Sequence, residues 1–193
     1  MRRRLMIIGA VVVALVAAWV VPVVVLNAVE NRRAVDIRQL LVNDPNTYPA
    51  LSRLQWTSPS ASTVSEATYQ RTWTSGDVQL GETVHRYAST LSALYTFSTQ
   101  DPLLTSARKH HTVMAQAPDG LFADQAELIC GGYKHTPGTH TGTCRNWAAR
   151  MRYGQYIVDV TIVNHVLASS KFLPIARHID AVAARALRPG NAS

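Results

Sequence analysis

Two cysteines, three phenylalanines and 12 acidic residues are all that this chain of 193 residues holds of each. The cysteine count excludes a disulfide-dense scaffold and allows one bridge at most. The 12 carboxylates stand singly along the chain, so no sequence pair is spaced for joint acid and base work. No G-x-S-x-G, H-E-x-x-H, G-x-x-x-x-G-K or G-x-G-x-x-G pattern occurs, which removes the signatures of common hydrolases, zinc proteases and nucleotide enzymes. Beyond residue 4 no run of Lys and Arg exceeds two. Without the first three arginines, 16 basic residues face 12 acidic ones, a net charge of +4. That is too little and too dispersed to track a phosphate backbone, so nucleic acid is not an expected partner. No internal repeat is visible, and neither a catalytic residue nor a cofactor is assigned.

Long hydrophobic runs are also absent, with one exception. After Met1-Arg2-Arg3-Arg4 the chain reads LMIIGAVVVALVAAWVVPVVVL, 22 residues from Leu5 to Leu26 without a charged side chain. About 20 apolar residues in a helix cross the hydrocarbon core of a bilayer, whereas the apolar stretch of a secretory signal is usually about 7 to 15 long. A retained single-pass anchor is the expectation, with a cleaved signal peptide as the alternative. Pro22 is compatible with a membrane helix. The three arginines prefer the cytoplasmic side, which places residues 1–4 in the cytoplasm and everything after Asn27 outside. The lipid bilayer is then the first expected partner, and an envelope protein or ligand the second.

Outside that run the organisation is coarse but legible. Val29, Val35, Ile37, Leu40 and Leu41 keep helical spacing, so residues 27–42 read as a helical stalk, and residues 43–66, rich in Ser, Thr, Pro and Asn, read as a linker in which Leu51, Leu54 and Trp56 suggest a short helical turn packed on the domain. Residues 67–188 form one domain, followed by a disordered tail at 189–193. Within the domain, Tyr69, Arg71 and Trp73 alternate with Thr and Gln, and Ser75-Gly76-Asp77 turns the chain into VQLGETVHRY, a β-hairpin. Ser89 or Thr90 caps a helix in which Leu91, Leu94, Tyr95 and Ser98 share a face. A strand over 124–130, alternation at Trp147, Ala149 and Met151, and alternation at Tyr156, Val158, Val160 and Ile162 follow. Ser170 to Leu187 closes the domain as an amphipathic helix with Pro174 in its first turn. The expected fold is α+β, an antiparallel sheet with helices packed on one face.

Both cysteines flank the loop CGGYKHTPGTHTGTC, residues 130–144. If Cys130 ends one strand and Cys144 begins its antiparallel neighbour, a disulfide across the loop mouth follows, worth about 3 kcal/mol by chain entropy. The rival is a Cys₂His₂ zinc site of Cys130, His135, His140 and Cys144, spaced C-x4-H-x4-H-x3-C, which lacks the close ligand pairs of familiar zinc modules. Exported thiols oxidise readily, which favours the disulfide. His110 and His111 are adjacent and so point in different directions. His85 falls in a strand, His165 just past one, and His178 on the polar face of the last helix.

The segments CRNWAARMRYGQYIVDVTIVN and FLPIARHIDAVAARAL resemble those of small actinobacterial membrane-anchored extracytoplasmic proteins. They are also similar to the sensor domains of mycobacterial receptor kinases and related cell-wall lipoproteins, where a cysteine precedes a strand pair and an amphipathic helix closes an α+β domain. The resemblance covers residues 78–187. It implies sensing or ligand binding at the cell envelope; this chain departs from the pattern in having one cysteine pair and no lipid-attachment cysteine. The resulting expectation is a membrane-anchored extracytoplasmic binding or scaffold domain without catalysis. Its alternatives are an envelope metal-binding protein or hydrolase using the loop histidines, and an accessory subunit of a membrane complex.

Overall fold

The computed structural model describes residues 35–65, 67–99, 113–115, 119–131 and 143–188. The chain divides into two compact units, residues 1–34 and 35–193, and everything described belongs to the second. The apolar run at 5–26, the basic tail before it and the tail at 189–193 lie outside the described residues. Among the described residues no helix is long and apolar enough to cross a membrane.

The domain is built on an antiparallel sheet whose strands are rich in Val, Ile, Thr and aromatic residues, the types that suit a pleated surface. In chain order they are β1 (Ser60–Ser65), β2 (Thr68–Ser75), β3 (Val78–Arg86), β4 (Val113–Ala115), β5 (Gln125–Gly131), β7 (Asn146–Tyr153) and β8 (Tyr156–Val163), arranged β1-β2-β3-β8-β7-β5-β4. A separate two-stranded piece pairs β6 (Thr143–Cys144) with β9 (Leu167–Ala168). Two turns fix the central register. Gly76 and Asp77 join β2 to β3 with Gly76 at φ 56°, and Gly154 and Gln155 join β7 to β8 with Gly154 at φ 57°. Two-residue hairpins need such positive φ values, which glycine adopts without steric cost.

Register then sorts the side chains into two faces. One carries Trp73, Leu80, Val84, Leu128, Cys130, Trp147, Ala149, Met151, Val158, Val160 and Ile162, all buried in the main core. The last helix, α2 (Ser169–Leu187), lies in this core through Phe172, Ile175, Ala176, Ile179 and Ala183. Phe172 stacks on Trp147 with ring centroids 4.5 Å apart. The first helix, α1 (Thr90–Thr99), packs elsewhere. Its Ala93 and Phe97 meet Ile157, which points opposite to Tyr156 and Val158. The helices therefore cover opposite faces of the sheet, not one face, because β3 hands the chain to the far side before α1 begins. The α1 stripe read from the sequence faces outward: Leu91 is 62% and Tyr95 64% exposed.

Residues 35–58, expected as the end of a stalk and a linker, are part of the domain. Ile37–Leu40 and Pro45–Thr47 form short 3₁₀ turns, each started by an aspartate, Asp36 or Asp44, whose side chain accepts from the backbone two residues on. Leu40, Leu41, Tyr48 and Leu51 are fully buried against the sheet. Helical spacing at Ile37, Leu40 and Leu41 was a true burial signal; Pro45 and the two aspartates divide it into turns instead of one helix. The rest of the supposed linker, Ser60–Ser65, pairs with β2 as an edge strand. In α2, Pro174 lies in the second turn, not the first, since the helix begins at Ser169.

Candidate functional site

Cys130 and Cys144 are joined as a disulfide with Cα atoms 5.5 Å apart. The strand geometry behind it differs from the expectation. Cys130 on β5 is opposite Trp147, and Cys144 has left the main sheet to pair with Leu167. The bond thus fastens the small β6/β9 ribbon, and the start of α2 that follows it, to the main sheet. Both cysteines are buried, at 5% and 1% exposure. His135 and His140 between them, and the pair His110 and His111, lie outside the described residues. Among the described residues no cluster of His, Cys, Asp or Glu is placed to hold a metal ion.

The sheet face turned toward α1 carries a row of polar groups, of which Gln70 is exposed and the others are partly or fully buried. Strand register aligns Gln70, Thr83, Asp159, Arg150 and Glu127 in a single row across β2, β3, β8, β7 and β5. The next row places Thr68 and His85 beside Ile157. Arg150 is the deepest member, with 2% of its side chain exposed; its Nε lies 3.5 Å from Asp159 Oδ1. The same guanidinium lies over the ring of Phe97, 5.4 Å from its centroid, a cation–π contact that tethers α1 to the polar row. Asp159 Oδ2 faces His85 Nε2 at 3.9 Å, and His85 Nδ1 meets the Thr68 hydroxyl at 3.1 Å.

Burial, then the charge of Arg150, lowers the pKa of His85 below the usual imidazole value. At neutral pH the ring is therefore neutral. With Thr68 on one ring nitrogen and Asp159 before the other, His85 is oriented as a hydrogen-bonding group of the sheet. The row combines donors and acceptors of both signs at graded depth, from the closed Arg150 to the exposed Gln70. Its members are unremarkable in sequence: single Gln, Thr, Asp, Arg and Glu residues on five strands, united only by register. The one local sign is alternation in β7 and β8, which sets Arg150 and Asp159 on the face away from Trp147 and Val160.

The other conspicuous histidine, His178 on α2, bonds Thr47 Oγ1 at 3.0 Å and packs edge-on to Tyr48. It therefore holds the N-terminal turns against the helix. Asp180, two residues on and buried, accepts from the amides of Phe122 and Ala123 at 2.8 and 2.9 Å and from the Tyr153 hydroxyl at 3.1 Å. That cluster fixes the approach to β5.

No known protein family, curated protein or solved structure matches this chain.

Proposed function

We propose that the protein is a single-pass, membrane-anchored domain on the outer side of the cytoplasmic membrane, and that it binds a polar partner or ligand at the cell envelope without catalysis. The observation that carries the binding reading is the unequal treatment of the two sheet faces. One is sealed by α2 and residues 35–58; the other bears the Gln70-to-Glu127 row and is covered, among the described elements, by α1 over Ile157. A sheet that only needed stability would place apolar residues at Asp159 and Arg150, since burying charge is costly. The anchor reading rests on the 22-residue apolar run and its arginines, and the outer location is favoured by the disulfide.

In-cell photocrosslinking tests the binding reading. A photoreactive residue at exposed Gln70, on the polar row, is expected to give a discrete crosslinked product. The same residue at exposed Arg177, on the solvent side of α2, is not. Equal products from both positions, or none from Gln70, would contradict the proposal.

A further inference from the structure

Among the described residues four large apolar side chains are exposed, Leu91, Tyr95, Phe122 and Val166. Two of them flank the β7–β8 hairpin from opposite faces of the sheet. On one face the Tyr87 amide donates to the Gln155 carbonyl at 2.9 Å, and the Thr90 hydroxyl is 3.7 Å from the point where a Cβ on Gly154 would stand. Leu91, the next residue, is therefore beside the turn, and it is 62% exposed. On the other face Phe122, 49% exposed, stacks on Tyr153 with ring centroids 6.3 Å apart. Tyr95 follows Leu91 one turn along α1, and Val166 stands at the opposite end of the sheet, between β8 and β9.

The last helix arrives at the same hairpin. Phe172 stacks on Trp147 near the start of β7 and Asp180 bonds Tyr153 at its end, so α2 runs along β7 toward the turn. Rising about 1.5 Å per residue, its remaining residues carry the exposed Arg185 and Arg188 beyond that point. Of the acidic groups at this end, Asp124 pairs with Arg152 at 3.1 Å, Asp36 accepts from the Arg38 amide, and Asp119 is exposed on the turn before Phe122. Apolar contact, more than net charge, is what this end offers.

The chain also leaves the domain here. The Val35 amide and Gln155 Nε2 both donate to the Tyr156 hydroxyl, at 3.1 and 3.3 Å. Only residues 27–34 separate Val35 from the apolar run that ends at Leu26. At 3.3–3.6 Å per residue they reach no farther than about 30 Å. The eight residues of β8 alone extend about 26 Å. Bringing the Val166 end of the sheet to a bilayer would therefore use nearly the whole reach of the link along the length of the domain, whereas the hairpin end needs no such extension. Single exposed apolar residues are ordinary on a protein surface. Here two of them, with arginines whose stems are apolar and whose heads suit lipid phosphates, coincide with the point of tethering.

We propose that the β7–β8 hairpin end of the domain rests on the bilayer surface, with Leu91 and Phe122 entering the headgroup region and Arg185 and Arg188 beside lipid phosphates. This rests on the anchor reading of residues 5–26 and adds an orientation to it: the strands point away from the bilayer, the disulfide-fastened β6/β9 ribbon is outermost, and the sheet edges and the polar row stand clear of the lipid.

The test uses the full-length, oxidised protein reconstituted into vesicles of phosphatidylcholine and phosphatidylglycerol. A fluorophore is attached to one added cysteine at a time, Leu91→Cys, Phe122→Cys or Val166→Cys, and quenched by lipids that carry a nitroxide on the headgroup. All three side chains are largely exposed, so the substitutions are expected to leave the fold intact. Quenching at positions 91 and 122 is expected to exceed that at 166 severalfold, and adding Phe122→Ser should reduce the quenching of the label at 91 without lowering Tm. Protein that does not float with the vesicles would overturn the anchor reading and the docking with it. Protein that floats but is quenched equally at the three positions, or most strongly at 166, would overturn the docking alone and leave the anchor standing.

Discussion

Removing the disulfide is the perturbation whose size can be worked most directly from the structure. The bond links residues 14 apart in sequence, and chain entropy for a loop of about 15 residues gives roughly 3 kcal/mol at 25 °C. Its Cα separation of 5.5 Å lies at the centre of the usual range, so the native state is not expected to return much of that gain as strain. Both sulfurs are buried, which makes alanine the appropriate replacement. For a domain of this size each kcal/mol moves Tm by about 2–4 °C, so Cys130→Ala with Cys144→Ala should lower Tm by about 6–12 °C. Thermal and urea unfolding of the full-length oxidised protein, the reduced protein and the double variant provide the comparison. Reductant should reproduce the loss in the wild type and do nothing to the variant. A loss below about 1 kcal/mol would refute the reasoning, because β5 and β6 would then be held in place by their own pairing with β7 and β9.

Three further outcomes follow from named contacts. Asp180→Ala strands two amides and the Tyr153 hydroxyl, and should cost about 3 kcal/mol or more, with Asp180→Asn costing less; equal losses by urea unfolding would show that the acceptor oxygen kept by Asn contributes nothing. A Cβ at Gly81 would stand 2.7 Å from Thr161 Oγ1, so Gly81→Ala should destabilise by about 1–3 kcal/mol. In a Thr161→Ala background the same change should be close to neutral, and an additive double variant would dismiss the clash. Pro174 is exposed inside α2 and deprives the Ser170 carbonyl of its helical partner. Pro174→Ala should therefore raise stability by ~1–3 kcal/mol, and a lower Tm would show that the proline's stiffening of the unfolded chain outweighs the lost bond.

Short-range physics was legible in the sequence wherever burial was one-sided. The hairpin at Gly76–Asp77, the β7 and β8 strands and α2 lie close to where alternation, turn residues and helical spacing place them. Long-range pairing was not. A Ser- and Thr-rich stretch at 60–65 looks like a linker because an edge strand needs no apolar side chains, only a neighbour's backbone. The α1 stripe of Leu91, Leu94 and Tyr95 is the more apolar side of that helix, yet the small Ala93 and the single Phe97 make the buried contact with Ile157. The two hairpin turns set Arg71 opposite Glu82 and Arg150 opposite Asp159, but the joining of the two hairpins into one polar row was invisible, because β3 beside β8 and β5 beside β7 are long-range pairings that sequence spacing does not signal. The pairing of Cys130 with Cys144 was readable, but the departure of Cys144 into a second small sheet was not.

The outward location of the domain is the claim on which the proposed function most depends, and the redox state of Cys130 and Cys144 in living cells tests it directly. Cells quenched in acid and alkylated before lysis should yield full-length protein in the membrane fraction with both cysteines blocked until reductant is added. Two freely alkylated thiols in protein taken straight from cells would place the domain in a reducing compartment and contradict the account.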